Sequence, residues 1–208
     1  MFIKYENLLK KYQIKVNGIL HIGAHDCEEL DSYLKGGCPK EKIIWIEGNP
    51  EKVKTVKNRD NTIKIYNYLV TDKKGEEIDF KITNNGQSSS IYDFGSHSKY
   101  YRDVKFVKKV KIKTSTVEEI YTNEKIENNF ANFLNIDIQG AELLALKGMG
   151  KILKEFDYLY LEVNKEHLYK DCALVDEIDE YVSDFRFKRI ETVWYGNHNW
   201  GDAFYIKS

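Results

Sequence analysis

Apolar residues in the first third of the chain alternate between helical spacing and short continuous runs. Tyr5, Leu8 and Tyr12 share one helical face, which predicts a helix over about residues 3–13, inside an N-terminal segment 1–16. The segments between the continuous runs carry apolar residues at helical spacing. This order of strands and helices is typical of a parallel sheet with helices on both faces. The continuous runs, each predicted to be a buried strand, are residues 18–23, 42–50 and 62–70.

The middle of the chain follows a different pattern. Residues 76–83 and the segment around Val110 and Ile112 alternate apolar and polar positions, which indicates half-buried strands. A polar and aromatic stretch separates them. We therefore expect a small insertion of strands and loops over 76–114 within one domain that spans residues 1–208.

The α/β pattern resumes near residue 132. Two further buried strands are predicted at 132–140 and 157–164, each followed by a helix. The last two strands, at 185–195 and 202–208, are separated only by a short loop, so they form an antiparallel pair. The expected fold class is α/β: a Rossmann-like sheet of about seven strands, mostly parallel, that ends in an antiparallel hairpin.

Composition and charge exclude several classes of protein. Lys and Arg number 32 and Asp and Glu 33, and this balance argues against a dedicated nucleic-acid binder. The three cysteines have no CxxC spacing, which excludes a disulfide framework or a cysteine zinc site. Charges recur through the N-terminal residues and no apolar run is long enough for a membrane span, so we expect neither a signal peptide nor a span, and a cytoplasmic protein.

Ligands of an open parallel sheet bind beyond the carboxyl ends of its strands. Glu47 lies 24 residues after Gly23, where nucleotide-binding folds place an acidic residue that binds ribose hydroxyls. The turn at Gly23 lacks the further glycines of a dinucleotide fingerprint, which disfavours NAD or FAD and favours an adenosine cofactor without phosphates. The residues directly after the first two predicted strands are Gly23, Ala24, His25, Glu47, Gly48 and Asn49.

Candidate acids and bases follow the later strands or lie in loops. Asp137 stands at the end of a strand, where its carboxylate can face a ligand. Glu142 begins the next helix, where it suits either a ligand or the helix dipole. His97 and His198 lie in polar loops, free to act as bases, whereas His21 lies inside a strand and is expected to form a local hydrogen bond.

Other signatures are weak or absent. The chain has no HxxxH pair on a predicted helix, no nucleophile elbow and no P-loop, which disfavours a zinc hydrolase, an α/β-hydrolase and a P-loop enzyme. Asp137, Glu142 and Glu162 could hold Mg²⁺ through oxygen atoms. Such carboxylates are more often hydrogen-bonding groups, so we predict no metal.

Three segments resemble the FkbM family of S-adenosylmethionine-dependent methyltransferases. HIGAHDCEE at 21–29, WIEGNP at 45–50 and NIDIQGAELLALKGM at 135–149 are similar to its motifs, and LEVN and WGDAFYI extend the resemblance over about residues 17–207. His21 and Cys27 depart from the aspartate and second glycine of many members. The resemblance implies a seven-stranded methyltransferase sheet, S-adenosylmethionine as cofactor, S-adenosylhomocysteine as product, and methyl transfer to a hydroxyl oxygen.

The resemblance also implies roles for residues. Gly23, Ala24 and His25 would line the methionine part of the cofactor and Glu47 would hold the ribose. Asp137 would contact the cofactor and, with His97 and His198, is a candidate base for the acceptor hydroxyl. The other predicted cofactor contacts are His21, Gly48, Asn49, Leu69 and Val70, with Thr71 beside them, and the predicted substrate contacts are Ser88, Ser89, Gln139, Glu162 and Trp200.

The acceptor stays open at this point. Aromatic and hydrogen-bonding residues in the loop WYGNHNWGD favour a small polar acceptor, a sugar or glycan first. The alternatives are a lipid, nucleotide or RNA hydroxyl, or a cofactor-binding module of the same fold without catalysis. Balanced charge and the lack of a Lys-Asp-Lys-Glu arrangement count against RNA. A homo-oligomer stays open.

Overall fold

The computed structural model describes residues 1, 3–196 and 198–208. It contains a seven-stranded sheet, a three-stranded sheet and seven α-helices in the described part of the chain. The helices are α1 Tyr5–Tyr12, α2 Leu30–Lys35, α3 Pro50–Arg59, α4 His97–Tyr100, α5 Val117–Asn123, α6 Glu142–Lys147 and α7 Val175–Ser183, with 3₁₀ turns at Lys40–Lys42 and Gly150–Glu155. The strands are β1 Ile19–Ile22, β2 Ile43–Glu47, β3 Ile65–Asn67, β4 Leu69–Val70, β5 Glu77–Thr83, β6 Phe106–Ser115, β7 Phe133–Ile136, β8 Tyr158–Asn164, β9 Phe187–Trp194 and β10 Trp200–Lys207.

The large sheet has the strand order β3-β2-β1-β7-β8-β10-β9. β1 pairs in parallel with both β2 and β7, and β10 runs antiparallel to β8 and β9. The predicted mostly parallel sheet with an antiparallel C-terminal pair is therefore confirmed. The strand order reverses direction between β1 and β7, which is where such sheets bind ligands.

Apolar residues cover both faces of the large sheet. Every residue of β1, β2 and β7 is buried, as a parallel sheet between two helical layers requires. One core cluster includes Leu134 and Phe156, and the opposite one includes Tyr33, Trp45 and Phe133. These packed layers fix the carboxyl ends of the central strands in place. No helix in the part of the chain that the structure describes is long and apolar enough to cross a membrane.

The third predicted strand, 62–70, is two strands in the structure. β3 pairs with β2 as far as Asn67, and the N–H of Tyr68 then donates to the carbonyl of Glu47 over 3.1 Å. Beyond Tyr68 the chain leaves the large sheet, and β4 pairs in parallel with β6. β5 pairs with β6 in an antiparallel hairpin, so a small second sheet stands beside the carboxyl edge of the large one.

Candidate active site

A cavity of about 470 Å³ lies where the carboxyl ends of β1, β2, β7 and β8 meet. The loops around the small sheet cover its other side. Most residues that the sequence singled out lie around this one space. Those that line it are His21, Gly23, His25, Glu47, Gly48, Leu69, Val70, Ser88, Ser89, His97, Asp137, Gln139, Glu162 and Trp200.

Three residues predicted as contacts do not line the cavity. Ala24 is fully buried, and its N–H donates to the carbonyl of Ile46 over 3.1 Å. Asn49 lies at the start of α3, and His198 packs behind the wall against the ring of Tyr101, 5.7 Å away. Thr71 also lies outside, because the third strand of the large sheet ends before it. These residues support the walls rather than face the space.

Gly23 makes the close approach between β1 and β7. Its φ is +95°, in the left-handed region, and its N–H donates to the carbonyl of Ile46 over 2.8 Å. A Cβ at this position would lie 1.7 Å from the backbone oxygen of Asp137. Only glycine therefore allows the turn after β1 to run directly against Asp137 at the switch point.

Backbone N–H groups fix the Glu47 carboxylate. The N–H of His25 donates to one oxygen over 2.8 Å and the N–H of Asn49 to the other over 2.7 Å. Burial raises the pKa of Glu47, and those two donors oppose the rise. Each carboxylate oxygen can accept more than one hydrogen bond, so Glu47 keeps acceptor capacity for a ligand in the cavity.

Asn49 supports this arrangement as a helix cap. Its side-chain oxygen accepts from the N–H of Glu51 over 3.0 Å, and Pro50 occupies the first helical position of α3. We expect Asn49→Ala to cost about 1 kcal/mol of stability. At this chain length that lowers Tm by about 2–4 °C. Thermal unfolding measures it: Asn49→Ser should retain most of the stability, and an unchanged Tm in Asn49→Ala would contradict the capping role.

Apolar side chains form a slot beside Glu47. Leu69 and Val70 reach it because the chain leaves the large sheet at Tyr68, and Phe80 enters from β5. A Cβ on Gly48 would lie 3.1 Å from the side chain of Leu69, so the slot is narrow at this point. A flat ring system fits such a space, next to a carboxylate that can bind neighbouring hydroxyls.

Gln139 joins two carboxylates on the opposite side of Gly23. Its amide nitrogen donates to Asp137 over 2.7 Å and to Glu162 over 2.6 Å, and its amide oxygen accepts from Tyr169 over 2.6 Å. Gln139 has a φ of +55°, unusual for a residue that is not glycine. Every group of this amide is engaged, so it holds Asp137 and Glu162 in fixed positions.

No described residue donates a hydrogen bond to the second oxygen of Glu162, and the Glu162 carboxyl also lies within hydrogen-bonding reach of the Asp137 carboxylate. Only 3% of Glu162 is exposed, and the residue lines the cavity. Burial, and next the charges of Asp137 and Glu142, raise its pKa well above the usual value. Glu162 therefore holds a proton more readily than an exposed glutamate does.

Glu142 supports the turn and does not line the cavity. One oxygen accepts from the N–H groups of Ile138 and Gly140 over 3.0 and 3.1 Å, and burial raises its pKa to about 7. Glu142 therefore stabilises the turn at Gly140 through these two hydrogen bonds.

Asp137, Glu142 and Glu162 do not converge as a metal site within the ranges that the structure describes. One close group of three ligand-type side chains occurs there, His25, Asp26 and Glu28. Its members are already paired: His25 Nδ1 lies 2.5 Å from Glu28, and Lys52 lies 2.6 Å from Asp26.

His97 lies in an aromatic pocket at the rim. Its ring stacks on Phe94 at 4.2 Å and lies 4.9 Å from that of Tyr101. Burial lowers its pKa to about 4, so the ring is neutral near pH 7 and a weak base. His97 and Asp137 both line the cavity.

This burial has a consequence for stability. The pKa of His97 is lower in the folded chain than the ordinary value of 6.5, so the unfolded chain binds the proton more readily. We expect its contribution to stability to be present above about pH 6.5 and lost as the pH falls to about 4. Unfolding of the native protein and of His97→Gln across this range measures the difference, and parallel pH profiles would contradict it.

Sequence reasoning missed several cavity residues. Asp202 lies opposite Glu162 in the pairing of β10 with β8 and accepts a hydrogen bond from Tyr160. Tyr101 and Tyr195 add aromatic walls, and the indole N–H of Trp200 donates to Tyr101 over 3.1 Å. The other lining residues that were missed are Met1, Ile22, Glu28, Glu29, Ile46, Tyr68, Phe80, Asn85, Gly86, Gln87, Ile91, Ile138, Ala141 and Leu168.

Comparison with known proteins identifies the family. The model of the methyltransferase FkbM domain matches residues 21–189, which is most of the chain. The chain belongs to the FkbM methyltransferase family. S-Adenosylmethionine is the cofactor of this family, as the resemblance implied. No curated protein sequence matches the chain.

Solved structures are similar to this chain at low sequence identity. Magnesium protoporphyrin IX methyltransferase from Synechocystis PCC 6803, with bound S-adenosylmethionine, matches at TM-score 0.53 and 8% identity, over 97% of this chain and 74% of that one. A methyltransferase from Aquifex aeolicus matches at 0.48 and 14%, over 98% and 89%. A TehB-like methyltransferase from Corynebacterium glutamicum matches at 0.48 and 10%, over 99% and 89%.

The residues present fit this cofactor. A fixed carboxylate, an apolar slot and a glycine turn lie together on one side of the switch point, as Glu47, Leu69 and Gly23. The slot suits adenine, the carboxylate suits the ribose hydroxyls, and the turn leaves room for the methionine part.

Proposed function

We propose that this chain transfers a methyl group from S-adenosylmethionine to a hydroxyl of a small polar acceptor, a sugar or glycan. The observation that carries the proposal is the position of Asp137. It lies against the Gly23 turn, lines the cavity, and is held by Gln139 in a fixed orientation. A carboxylate so placed can take the proton of a hydroxyl bound beside the cofactor.

The cavity divides into two halves in this proposal. Glu47, Leu69 and Val70 form the cofactor half, where the ribose and adenine bind. Asp137, Gln139, Glu162 and the aromatic rim form the acceptor half, with His21 in the floor between them. His21 Nδ1 and the Tyr33 hydroxyl form a hydrogen bond of 3.0 Å. In this proposal His21 therefore shapes the bottom of the cavity and takes no part in the reaction.

Methyl transfer needs alignment more than acid–base power. The cofactor supplies an electrophilic methyl on a sulfonium, and the protein brings the acceptor oxygen in line with it. The transfer would break the S–CH₃ bond, form an O–CH₃ bond and release S-adenosylhomocysteine, and Asp137 would accept the hydroxyl proton. Gln139 keeps the carboxylate of Asp137 aimed, and Ser88 and Ser89 lie on the loop that covers this half.

The aromatic rim favours a sugar over a simple alcohol. Tyr101, Tyr195 and Trp200 line the acceptor half, and the rings of Tyr195 and Trp200 lie 5.1 Å apart. Aromatic faces pack against the C–H face of a sugar while nearby polar groups bind its hydroxyls. Among the described residues that line the cavity there is no lysine or arginine, which disfavours an RNA phosphate backbone.

Transfer of a labelled methyl group tests the proposal. The purified protein is incubated with labelled S-adenosylmethionine and parallel sets of monosaccharides, glycans, phenols, lipid alcohols and RNA. We expect label in the carbohydrate set, on oxygen, and its loss in Asp137→Asn. Label confined to phenols, lipids or RNA would contradict the proposed acceptor class. Binding of S-adenosylhomocysteine without transfer to any set would favour the non-catalytic alternative.

A further inference from the structure

The cavity is lined by more carboxylates than cationic groups. Six carboxylates line it, and no lysine or arginine side chain does so among the residues that the structure describes. The N-terminal ammonium of Met1 also lines it, 3.5 Å from Glu29, and offsets part of this charge. A positively charged ligand lowers the repulsion among such groups. The six are Glu28, Glu29, Glu47, Asp137, Glu162 and Asp202.

The cofactor side accounts for only part of this charge. Glu28 already pairs with His25, and Glu47 accepts two backbone N–H groups beside the predicted ribose position. Asp137 directly follows β7, and Glu162 on β8 stands opposite Asp202 on β10, all in the acceptor half. Their charge faces whatever is methylated.

Glu162 offers a specific binding atom. One oxygen accepts a hydrogen bond from Gln139, and the other receives none from the described part of the chain. Only 3% of the residue is exposed. A buried carboxyl oxygen without a partner is costly, and a donor from the ligand would remove that cost. The atom lies in a residue that lines the cavity, so an acceptor can reach it.

The aromatic rim would also attract a positively charged ligand. Trp200 of β10 stands opposite Asn164 of β8, and Asn164 is two residues after Glu162 on that strand. Tyr195 and Tyr101 lie beside Trp200. Aromatic faces attract ammonium groups as well as sugar C–H bonds.

We propose that the acceptor is a hydroxylated ring that carries a primary amine, such as an amino sugar, and that its ammonium group binds the unpartnered oxygen of Glu162. This deepens the proposed function and rests on it. The ammonium fixes the ring against the aromatic rim, and a neighbouring hydroxyl then faces Asp137. A phosphorylated or nucleotide-linked sugar would bring negative charge beside three carboxylates and bind poorly.

Binding of the amine should release a proton from the protein. Burial and the charges of Asp137, Glu142 and Asp202 favour a protonated Glu162, while Gln139 and Tyr169 are the neutral groups beside it. An ammonium next to Glu162 favours the ionised carboxylate instead. The heat of binding should therefore change with the ionisation enthalpy of the buffer.

Matched sugars test the proposal. Two amine and hydroxyl pairs are compared: glucosamine with glucose, and galactosamine with galactose. N-Acetylglucosamine and glucose 6-phosphate serve as controls. Binding is measured by calorimetry on the protein with S-adenosylhomocysteine, and reaction by labelled methyl transfer. We expect at least one free amine to bind about ten-fold or more tightly than its hydroxyl counterpart, as a charge-assisted hydrogen bond implies. The acetylated and phosphorylated sugars should lose that gain.

Variants separate the binding atom from general charge. Glu162→Gln should abolish the difference between amine and hydroxyl partners and leave the affinity for S-adenosylhomocysteine unchanged. Glu191→Gln removes a carboxylate on β9, outside the cavity, that pairs with Lys11 of α1, and it should preserve the difference. Equal binding of the paired sugars, no binding of either, or a preference that survives in Glu162→Gln would each overturn the amine proposal.

Product analysis keeps the two proposals distinguishable. A methylated amino sugar that still reacts with fluorescamine carries the label on oxygen and supports both proposals. Label on nitrogen would contradict the O-methyl transfer of the proposed function while keeping the amine site. Transfer to neutral sugars without any preference for amines would retain the proposed function and overturn only the inference.

Discussion

Asp137→Asn is expected to lower kcat by about 10²- to 10⁴-fold, the usual contribution of a positioned general base. Asparagine has the same shape and keeps an oxygen that can accept from Gln139. In the native chain the Gln139 amide nitrogen lies 2.7 Å from an Asp137 oxygen. It cannot take the proton of the acceptor hydroxyl. Turnover is measured at saturating cofactor and acceptor, so that weaker binding does not enter the comparison.

A matched control uses a carboxylate outside the cavity. Asp79 lies on β5 opposite Lys111, and Asp79→Asn should leave kcat at the native value. Full turnover of both Asp137→Asn and His97→Ala would show that neither residue takes the proton. A loss in His97→Ala alone would assign the proton to the histidine instead of Asp137.

Glu47→Ala is expected to weaken the binding of S-adenosylhomocysteine by about 10- to 100-fold. A hydrogen bond to a charged group contributes about 1.5–3 kcal/mol, which corresponds to that range. The same change removes the acceptor of two backbone N–H groups, from His25 and Asn49, so the turn loosens as well. Calorimetric titration gives the affinity, and the KM for S-adenosylmethionine should rise in parallel.

Glu51 provides the comparison for this variant. It follows Glu47 by four residues, in the first turn of α3, but lies on the surface, where it pairs with Lys108 over 2.6 Å. Glu51→Ala should bind S-adenosylhomocysteine as the native protein does. Native affinity in a folded Glu47→Ala variant would remove Glu47 from the cofactor half.

The large sheet was predictable because buried parallel strands produce continuous apolar runs. The split of residues 62–70 was not. Apolar or β-branched residues fill most of it, with no turn residue pair to mark a break, and the division comes from tertiary pairing: β3 pairs with β2, and β4 pairs with β6. Local pattern carries no information about which sheet a strand joins.

One geometric rule predicted the site from the sequence, and the cavity residues that were missed are those to which the rule does not apply. Parallel strands end at one edge, so residues directly after them meet, as Gly23, Glu47 and Asp137 do. β10 runs antiparallel, so the cavity residues that it supplies, Asp202 among them, lie near the start of the strand rather than after its end. Tyr101 lies in an irregular loop, where no periodicity marks its partners.

The division of the cavity into a cofactor half and an acceptor half is tested most directly by one set of calorimetric titrations. S-Adenosylhomocysteine is titrated into the native protein, Glu47→Ala and Asp137→Asn under identical conditions. The account predicts native affinity in Asp137→Asn and a loss of about 10- to 100-fold in Glu47→Ala. Equal losses in both variants, or a loss confined to Asp137→Asn, would contradict it.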